Sequence, residues 1–422
     1  MPALRRCYAP CRRRATLPVL AAAGAVSALA LLVYTWAGCP DCAPSVARPE
    51  PRVLTSPGSR PPPRPPTERA TDAPLAVNHN VHVFYYAWYG SVAVDGEWRH
   101  WDHPYLPNWR REDKRMYPTS AHEPPGDISS NYYPALGCYS SRDPAIIRAH
   151  MQQLKDSGVG TLVVSWYPPG MADPEGSPPD AVLPELLDAA HAHGLKVAVH
   201  VEPYRGRSPA SLAEQVRYLV LQYGTHPALL RMARGPRSLP VLYVYDSYLL
   251  PAAAWRELLS PRGNLSLRGT PFDAVFLALL VDVRHKYEVK QAHFDGFYTY
   301  FASDGFTYGS TWKNWRGLGK FARQHDLLFV PSVGPGYVDT QVRPWNAGST
   351  RHRQRGRYYG AAWRSALAAR ARIISITSFN EWHEGTQIEP AVPRPNYLDY
   401  EPEGALFYLN LTRSWVREFS RK

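Results

Sequence analysis

The sequence predicts a (β/α)8 barrel, because eight strand-like runs alternate with helical patterns along a single globular stretch of chain. The runs are short, apolar and rich in β-branched residues, as strands buried on both faces of a parallel sheet are. Parallel neighbours need crossover connections, which are usually helices. The alternative is an open, doubly wound sheet. The globular stretch contains no glycine-rich phosphate loop, which argues against the nucleotide-binding version of that fold.

The predicted elements follow one another from residue 78 onwards. The eight strands are residues 81–90, 160–166, 195–201, 239–245, 273–281, 294–301, 327–332 and 371–379. Helical periodicity is clearest over residues 144–157, 181–193, 208–223, 314–325 and 358–370. Each helical stretch lies between two strands, so the order fits a barrel whose helices form the outer layer.

A basic tail and an uncharged apolar segment precede the globular stretch. Residues 1–14 carry five arginines, and residues 15–39 carry no charge. About 20 apolar residues cross the hydrocarbon core of a membrane, and arginines ahead of such a segment predict a cytosolic N-terminus. A cleaved signal peptide is the alternative, but its apolar region usually runs for about 7–15 residues. We therefore expect residues 15–39 to form an uncleaved transmembrane signal anchor.

A proline-rich segment at residues 40–77 separates the expected anchor from the globular domain at residues 78–422. Eleven prolines lie between residues 40 and 75. Such a composition cannot build a core and favours extended polyproline II. We expect a stem that holds a luminal catalytic domain away from the membrane.

The net charge of +12 does not indicate a nucleic-acid partner. Residues 1–71 carry ten Lys/Arg against three acids, which leaves only +5 for the remainder of the chain. That remainder has no basic run interleaved with aromatic residues, so it lacks the electrostatic footprint of a nucleic-acid-binding surface.

Four of the five cysteines flank the apolar segment, and only Cys138 lies in the globular stretch. No disulfide framework is therefore expected in the domain, and no Cys/His spacing resembles a zinc site. Cys39 and Cys42 could link two chains, carry lipid or be free. Asn264 and Asn410 begin glycosylation sequons, which suit a luminal domain but also arise by chance.

Two carboxylates just past the last predicted strand are the strongest sign of chemistry. Glu381 and Glu384 follow the apolar run at residues 371–377, and Asn380, Trp382 and His383 crowd them. An aromatic ring offers a surface on which a sugar can stack, and a partly dry site can raise the pKa of one carboxyl group so that it stays protonated. The alternative is a solvated turn that happens to hold two acids. The strand and the aromatic residues favour a site.

Residues at the other predicted strand ends form a consistent set. The C-terminal ends of barrel strands meet at one face, where barrel enzymes place their active sites. These ends carry aromatic residues, carboxylates and few cations, which suits a neutral polyhydroxylated ligand. They are Tyr86, Trp88, Tyr89, Trp166, Tyr167, His200, Glu202, Tyr204, Tyr245, Asp246, Tyr298, Tyr300, Asn380, Glu381 and Glu384.

The connection after the first strand is long, running through an aromatic and histidine-rich stretch at residues 95–109 to residue 139. Barrel loops of this length are usually functional or ordered lids. His100, Asp102 and His103 could indicate a metal site. No third well-spaced ligand accompanies them, so we expect no metal and no other cofactor.

The chain resembles glycoside hydrolase family 99 over roughly residues 78–420. The resemblance rests on the motifs at residues 85–90, 101–103, 165–170, 200–204 and 378–390, of which the last is the most specific. It implies a (β/α)8 fold, no metal, and retaining hydrolysis inside a mannose chain. The implied substrate is a glucosylated high-mannose N-glycan on a glycoprotein, from which a glucosylated mannose is released. The tail, anchor and stem match the layout of Golgi type II membrane proteins of that family.

The resemblance also implies roles for individual residues. Glu384 would be the general acid and then the base that activates water. Glu381 would deprotonate the sugar's own 2-hydroxyl, which attacks through a 1,2-anhydro sugar. Glu202 and Trp166 would hold the sugar next to the scissile bond, with Tyr298 close by. The other expected substrate contacts are Tyr86, Trp88, Tyr204 and Asn380.

Three classes of function remain open. The first is an active endo-acting glycosidase. The second is a catalytically weak or inactive glycan-binding relative in the secretory pathway, which would not need both Glu381 and Glu384. The third is an interaction protein that uses the proline-rich stem, with the barrel as a spacer. The carboxylates and aromatic residues at the strand ends favour the enzyme.

Overall fold

The computed structural model describes residues 75–108 and 110–421. The strands within them are β1 (Asn78–Tyr85), β2 (Val159–Trp166), β3 (Lys196–Val201), β4 (Arg231–Arg234), β5 (Arg237–Val244), β6 (Val275–Leu279), β7 (Gly296–Tyr298), β8 (Leu328–Val330), β9 (Ser332–Val333) and β10 (Ile374–Ile376). The helices are α1 (Val92–Asp95), α2 (Pro144–Ser157), α3 (Leu183–Ala192), α4 (Pro209–Tyr223), α5 (Ala252–Leu259), α6 (His285–Gln291), α7 (Trp315–Gln324), α8 (Arg357–Ala368) and α9 (Phe407–Ser420).

The strands form a parallel barrel whose two ends meet at Pro331. The hydrogen-bonded order is β8-β7-β6-β5-β3-β2-β1-β10-β9, and every pair along this path is parallel. Only Pro331 separates β8 from β9 in sequence. Proline has no N–H to donate, so one stretch of chain is divided there into a half that pairs with β7 and a half that pairs with β10. The predicted barrel is therefore confirmed.

Two predicted strands are much shorter than expected. The run at residues 294–301 contains only β7, and the run at residues 371–379 contains only β10. Tyr300 has a φ of 51°, in the left-handed region, so the chain leaves the extended conformation just past β7. A further strand that the sequence did not predict, β4, pairs antiparallel with β5. Its residues include no β-branched one, so no strand pattern marks it.

The outer helices begin and end at recognisable signals. Asp143 caps α2 by accepting the N–H of Ala145 at 2.7 Å, and Gly158 ends that helix in the left-handed conformation. Ser208 caps α4 by accepting the N–H of Ser211 at 3.2 Å. Both helices have proline in the first turn, where the missing N–H costs nothing.

Rings as well as aliphatic side chains fill the barrel interior. Phe84 on β1 packs against Tyr243 on β5 and Tyr298 on β7, with ring centroids 5.8 and 5.7 Å away. The Tyr243 hydroxyl is hydrogen-bonded to Nδ1 of His82 at 2.7 Å. All four side chains are buried. The barrel interior is therefore partly polar, and His82 and Tyr243 satisfy each other there.

The predicted cytosolic tail and anchor, and almost all of the predicted stem, lie outside the described residues. Within residues 75–108 and 110–421, no helix is long and apolar enough to cross a membrane.

The close contact between β1 and β2 gives a test of the barrel. A Cβ added at Gly160 would lie 2.4 Å from the carbonyl carbon of Asn78, a main-chain atom. Gly160→Ala is therefore expected to lower the free energy of unfolding by about 1–3 kcal/mol, the usual cost of overpacking. Urea denaturation followed by circular dichroism measures the change.

Gly317→Ala is the matched control for that variant. Gly317 lies in α7, where an added Cβ meets no heavy atom within 4 Å. Alanine is the better helix former by about 1 kcal/mol, so this variant is expected to be as stable as the original or more so. Equal destabilisation by the two substitutions would contradict the packing of β1 on β2.

Candidate active site

The loop after β10 holds Glu381 and Glu384 together through one main-chain hydrogen bond. The N–H of Glu384 donates to Oε2 of Glu381 at 2.6 Å, and the N–H of Glu381 donates to Oγ of Ser378 at 2.8 Å. Gly385 ends this turn with a φ of 59°, where an added Cβ would lie 2.7 Å from the carbonyl oxygen of Val338. Both carboxyl groups therefore lie at the C-terminal edge of the barrel strands.

Burial raises the pKa of both carboxyl groups. Glu381 is 4% exposed, and burial followed by the neighbouring Glu384 carboxylate raises its pKa well above the ordinary value. Burial raises the pKa of Glu384 to about 7, although the Arg343 guanidinium lowers it. A carboxyl group with such a pKa can hold a proton near neutral pH and donate it to a leaving group.

Three buried polar side chains from the loop after β9 lie near Glu384. Arg343 Nη1 donates to Oδ2 of Asp339 at 3.0 Å, and the Tyr337 hydroxyl donates to the same oxygen at 2.8 Å. The N–H of Val338 donates to the main-chain oxygen of Glu384 at 2.8 Å. Sequence reasoning missed these residues, since their loop has no periodic pattern. Asp339 is nevertheless the last acid before Glu381 in the sequence, which is a signal that could have been noticed.

A second carboxylate region lies at the ends of β2, β3 and β7. The Ser165 hydroxyl donates to Oε1 of Glu202 at 2.8 Å, and Nδ1 of His200 lies 3.3 Å from the same oxygen. Nε2 of His200 is hydrogen-bonded to the Tyr298 hydroxyl at 2.7 Å. His200 therefore lies between Glu202 and Tyr298, both predicted from the sequence, and is hydrogen-bonded to Tyr298.

Aromatic residues lie between the two carboxylate regions. The Tyr86 hydroxyl is hydrogen-bonded to that of Tyr300, and the ring of Trp88 lies 4.5 Å from the ring of Tyr86. Burial raises the pKa of Tyr86, and the charges of Glu202 and then Glu381 raise it further. Tyr86 is thus close to both acids, and Trp88 is partly exposed beside it, as a stacking surface for a sugar needs to be.

Trp166 does not join this group. The side chain is fully buried, and its indole N–H donates to Oδ1 of Asp180 at 2.8 Å. Asp180 also accepts the hydroxyl of Tyr218 on α4 at 2.7 Å, so Trp166 packs in the layer between barrel and helices. The next residue, Tyr167, is also buried; burial and then the charge of Glu202 raise its pKa, so its hydroxyl lies on the Glu202 side.

Asn380 and Tyr204 are both buried and bonded within the protein. Asn380 Nδ2 donates to the main-chain oxygen of Tyr86 at 2.8 Å, and its Oδ1 accepts the N–H of Tyr86 at 2.8 Å. The side-chain amide of Asn380 is therefore bonded to the main chain. Asn380 positions the loop after β10 that carries Glu381 and Glu384, which is named the catalytic loop. The Tyr204 hydroxyl lies 3.0 Å from Oγ of Ser211 in the first turn of α4.

The histidines of the long first connection are bonded to acids from the connection after β2. Nε2 of His100 lies 2.9 Å from Oδ2 of Asp173, and Nε2 of His103 lies 3.0 Å from Oε1 of Glu175. In the part of the chain that the structure describes, no group of three or more His, Cys, Asp or Glu side chains could hold a metal ion. These contacts tie the two connections together.

Two buried charges support the catalytic loop from below. Glu389 accepts the Trp382 indole N–H at 3.0 Å and the Tyr139 hydroxyl at 2.8 Å. Arg353 Nη2 donates to the main-chain oxygens of Gly385 and Gln387 at 3.0 and 2.8 Å. Its guanidinium also lies over three tyrosine rings at 4.5–5.0 Å, which is the range of cation–π attraction. The rings are those of Tyr132, Tyr400 and Tyr408.

Comparisons with known proteins agree with this architecture. The model of Glycosyl hydrolase family 99 matches residues 76–421. The glycoprotein endo-alpha-1,2-mannosidase-like protein of Danio rerio is 49% identical over 352 residues, which is 82% of this chain and 80% of that protein. The glycoprotein endo-alpha-1,2-mannosidase of Xenopus laevis is 49% identical over 82% of this chain and 78% of its own length. The solved GH99 endo-alpha-mannosidase of Bacteroides thetaiotaomicron superposes with a TM-score of 0.75 at 42% identity, covering 82% of this chain and 99% of that one.

The electrostatic effect of Arg343 on Glu384 can be tested by titration. Because the Arg343 charge lowers the pKa of Glu384, Arg343→Gln is expected to raise that pKa above about 7. Carbon-13 NMR of protein with labelled glutamate measures it. Arg364→Gln, on the exposed face of α8, is the matched control and should leave the pKa unchanged. A lower or unaltered pKa in Arg343→Gln would contradict the arrangement.

Proposed function

Because this chain belongs to glycosyl hydrolase family 99 and is a glycoside hydrolase, we propose that it is a retaining endo-α-1,2-mannosidase. The observation that carries the proposal is the buried Glu381–Glu384 pair, in which one carboxyl group has a pKa of about 7 and the other accepts a main-chain N–H. The names of the relatives from Danio rerio and Xenopus laevis supply the α-1,2-mannosidic linkage.

The two carboxyl groups have different roles in this proposal. The main-chain N–H of Glu384 stabilises the ionised form of Glu381, because hydrogen bonds to a carboxylate favour its charge. Burial favours the neutral form of both carboxyl groups, so the pair can keep one proton near neutral pH. In the proposed reaction that proton is on Glu384, which protonates the glycosidic oxygen.

Glu381 acts on the sugar itself. In an α-mannoside the axial 2-hydroxyl lies anti to the leaving group and can attack C1 from behind. Glu381 takes the 2-hydroxyl proton as O2 bonds to C1, and the bond from C1 to the leaving oxygen breaks as that oxygen takes the Glu384 proton. Water then opens the 1,2-anhydro sugar: Glu384 takes a proton from water, and Glu381 returns its proton to O2. Two inversions at C1 give retention.

The second carboxylate region and the rings suit the sugar chain that this reaction requires. Glu202 and the hydroxyl of Tyr86 offer polar groups to sugar hydroxyls, and Tyr298 lies behind Glu202, bonded to His200. Partly exposed Trp88 offers a ring face. The substrate that we propose is a glucosylated high-mannose N-glycan on a glycoprotein, and the product is the disaccharide Glc-α-1,3-Man.

We also propose that the enzyme is a single-pass type II protein of the Golgi membrane with its barrel in the lumen. This rests on the sequence of residues 1–77: a basic tail, an uncharged apolar segment and a proline-rich stem. A N-terminus in the cytosol would place the barrel on the luminal side, where immature N-glycans are processed.

Release of the disaccharide from the glucosylated glycan tests the activity. The unaltered protein is expected to release it, and Glu384→Gln and Glu381→Gln are each expected to lower kcat by about 10²-fold or more, as loss of a general acid or base does. Glu185→Gln, on the exposed face of α3, is the matched control and should retain activity. Glycan binding without release would indicate a glycan-binding relative, and neither binding nor release would contradict the substrate.

The pH dependence of the rate gives a separate test. The acid must be protonated to act, and the pKa of Glu384 is about 7. The initial rate of disaccharide release is therefore expected to fall as the pH rises through that value. A rate that increases across the same range would argue that Glu384 is not the acid.

A further inference from the structure

His383 lies between Glu381 and Glu384 in sequence and has no role in the mechanism above. Its Nε2 lies 2.6 Å from the main-chain oxygen of His100. A carbonyl oxygen can only accept, so the Nε2 atom carries a hydrogen. Its Nδ1 lies 3.6 Å from Oε1 of Glu381, the carboxylate oxygen that the Glu384 N–H does not contact.

The His100 carbonyl that fixes this tautomer is itself firmly held. The Ser129 hydroxyl donates to the same oxygen, and the N–H of His100 donates to Oε2 of Glu175 at 2.8 Å. The imidazole of His100 is bonded to Asp173 and stacks on the Trp88 ring at 4.4 Å. The acceptor for His383 therefore has a defined position, independent of the catalytic loop.

The imidazole of His383 is neutral. The side chain is 7% exposed, and burial lowers its pKa well below the ordinary value, with His103 and His100 lowering it further. Since the single hydrogen is on Nε2, Nδ1 presents a lone pair to Glu381. When Glu381 is ionised, its Oε1 faces the lone pair of Nδ1. When Glu381 is protonated, its hydroxyl can donate a hydrogen bond to Nδ1.

We propose that His383 is a positioning residue that makes Glu381 a stronger base, by offering Nδ1 as a hydrogen-bond acceptor only to the protonated carboxyl group. This inference rests on the proposed function. When Glu381 takes the proton of the 2-hydroxyl, the new O–H turns toward Nδ1, and the two atoms close from 3.6 Å to hydrogen-bond distance because the repulsion between lone pairs is gone. No proton passes to His383, and the carboxyl group returns its proton to O2 when water opens the intermediate.

Other charged and titratable groups also act on Glu381 or on His383, and the experiment must separate their effects from that of His383. They come from the catalytic loop, the loop after β9, the ends of β1 and β7, and the first connection. They are Glu384, Arg343, Asp339, Tyr86, Tyr89, Tyr300, His100 and His103. Substitution of His383 leaves all of them in the protein.

Two variants with complementary geometry test the proposal. Gln has its amide where Nε2 lies, so His383→Gln can still donate to the His100 oxygen but has no acceptor at the Nδ1 position. Asn has its amide near Nδ1, so His383→Asn can donate an N–H to Glu381 and stabilise its charge. Should one variant fail to fold, the other still tests the proposal.

The readout is the acid limb of kcat/KM against pH for disaccharide release, which reports the ionisation of Glu381 in the free enzyme. Both variants are expected to move this limb down by about one pH unit and to lower kcat by about tenfold or more. His122→Gln is the matched control, because Nε2 of His122 also contacts a main-chain oxygen and its Nδ1 a carboxylate. Lower rates with an unmoved acid limb would mean that His383 only supports the fold, and would overturn the proposal.

A titration without turnover separates this proposal from the proposed function. Carbon-13 NMR of labelled glutamate gives the pKa of Glu381 in the Glu384→Gln protein, with and without His383→Gln. The pKa is expected to be lower when His383 is replaced, and an unchanged value would overturn the role of His383. If the unaltered enzyme releases no disaccharide while this shift is present, the proposed function fails and the action of His383 on Glu381 stands.

Discussion

A pair of amide hydrogen bonds fixes the catalytic loop to the barrel. Asn380 donates to the main-chain oxygen of Tyr86 and accepts its N–H, both at 2.8 Å. These bonds join the loop after the last strand to the end of the first. They satisfy main-chain groups that have left the regular ladder in a fully buried place, where an unpaired polar group is costly. The positions of Glu381 and Glu384 follow from this junction.

The same loop is held from below by two buried charged side chains that contact it directly. Glu389 contacts Trp382, Tyr139 and His150, and Arg353 contacts two carbonyl oxygens of the loop and three tyrosine rings. A buried charge is retained at a cost unless such partners surround it. These partners offset the free-energy cost of burying the two charges, and they also hold the loop rigid. A rigid loop keeps a proton donor and a proton acceptor at set positions.

The sequence predicted the barrel, and it placed Glu381 and Glu384 next to each other just past the last strand, because both features depend on local patterns. Apolar runs give the strands, and Glu381 and Glu384 lie close together in one conspicuous motif. Trp166 and Tyr167 mark the limit of that reasoning: adjacent strand residues face opposite sides, and the sequence alone does not say which side holds the ligand. Arg343 and Asp339 were missed because they lie in a connection without periodicity, and only the folded chain brings them beside Glu384.

The most direct measurement uses a substrate whose reacting mannose lacks the 2-hydroxyl. Glu381 is assigned here as a base for that hydroxyl rather than as a nucleophile at C1, so the 2-deoxy glycan should bind but not be cleaved. The matched glycan with the hydroxyl should be cleaved under the same conditions. Cleavage of the 2-deoxy glycan, with a covalent sugar adduct on Glu381, would contradict the assignment and indicate the ordinary two-carboxylate route.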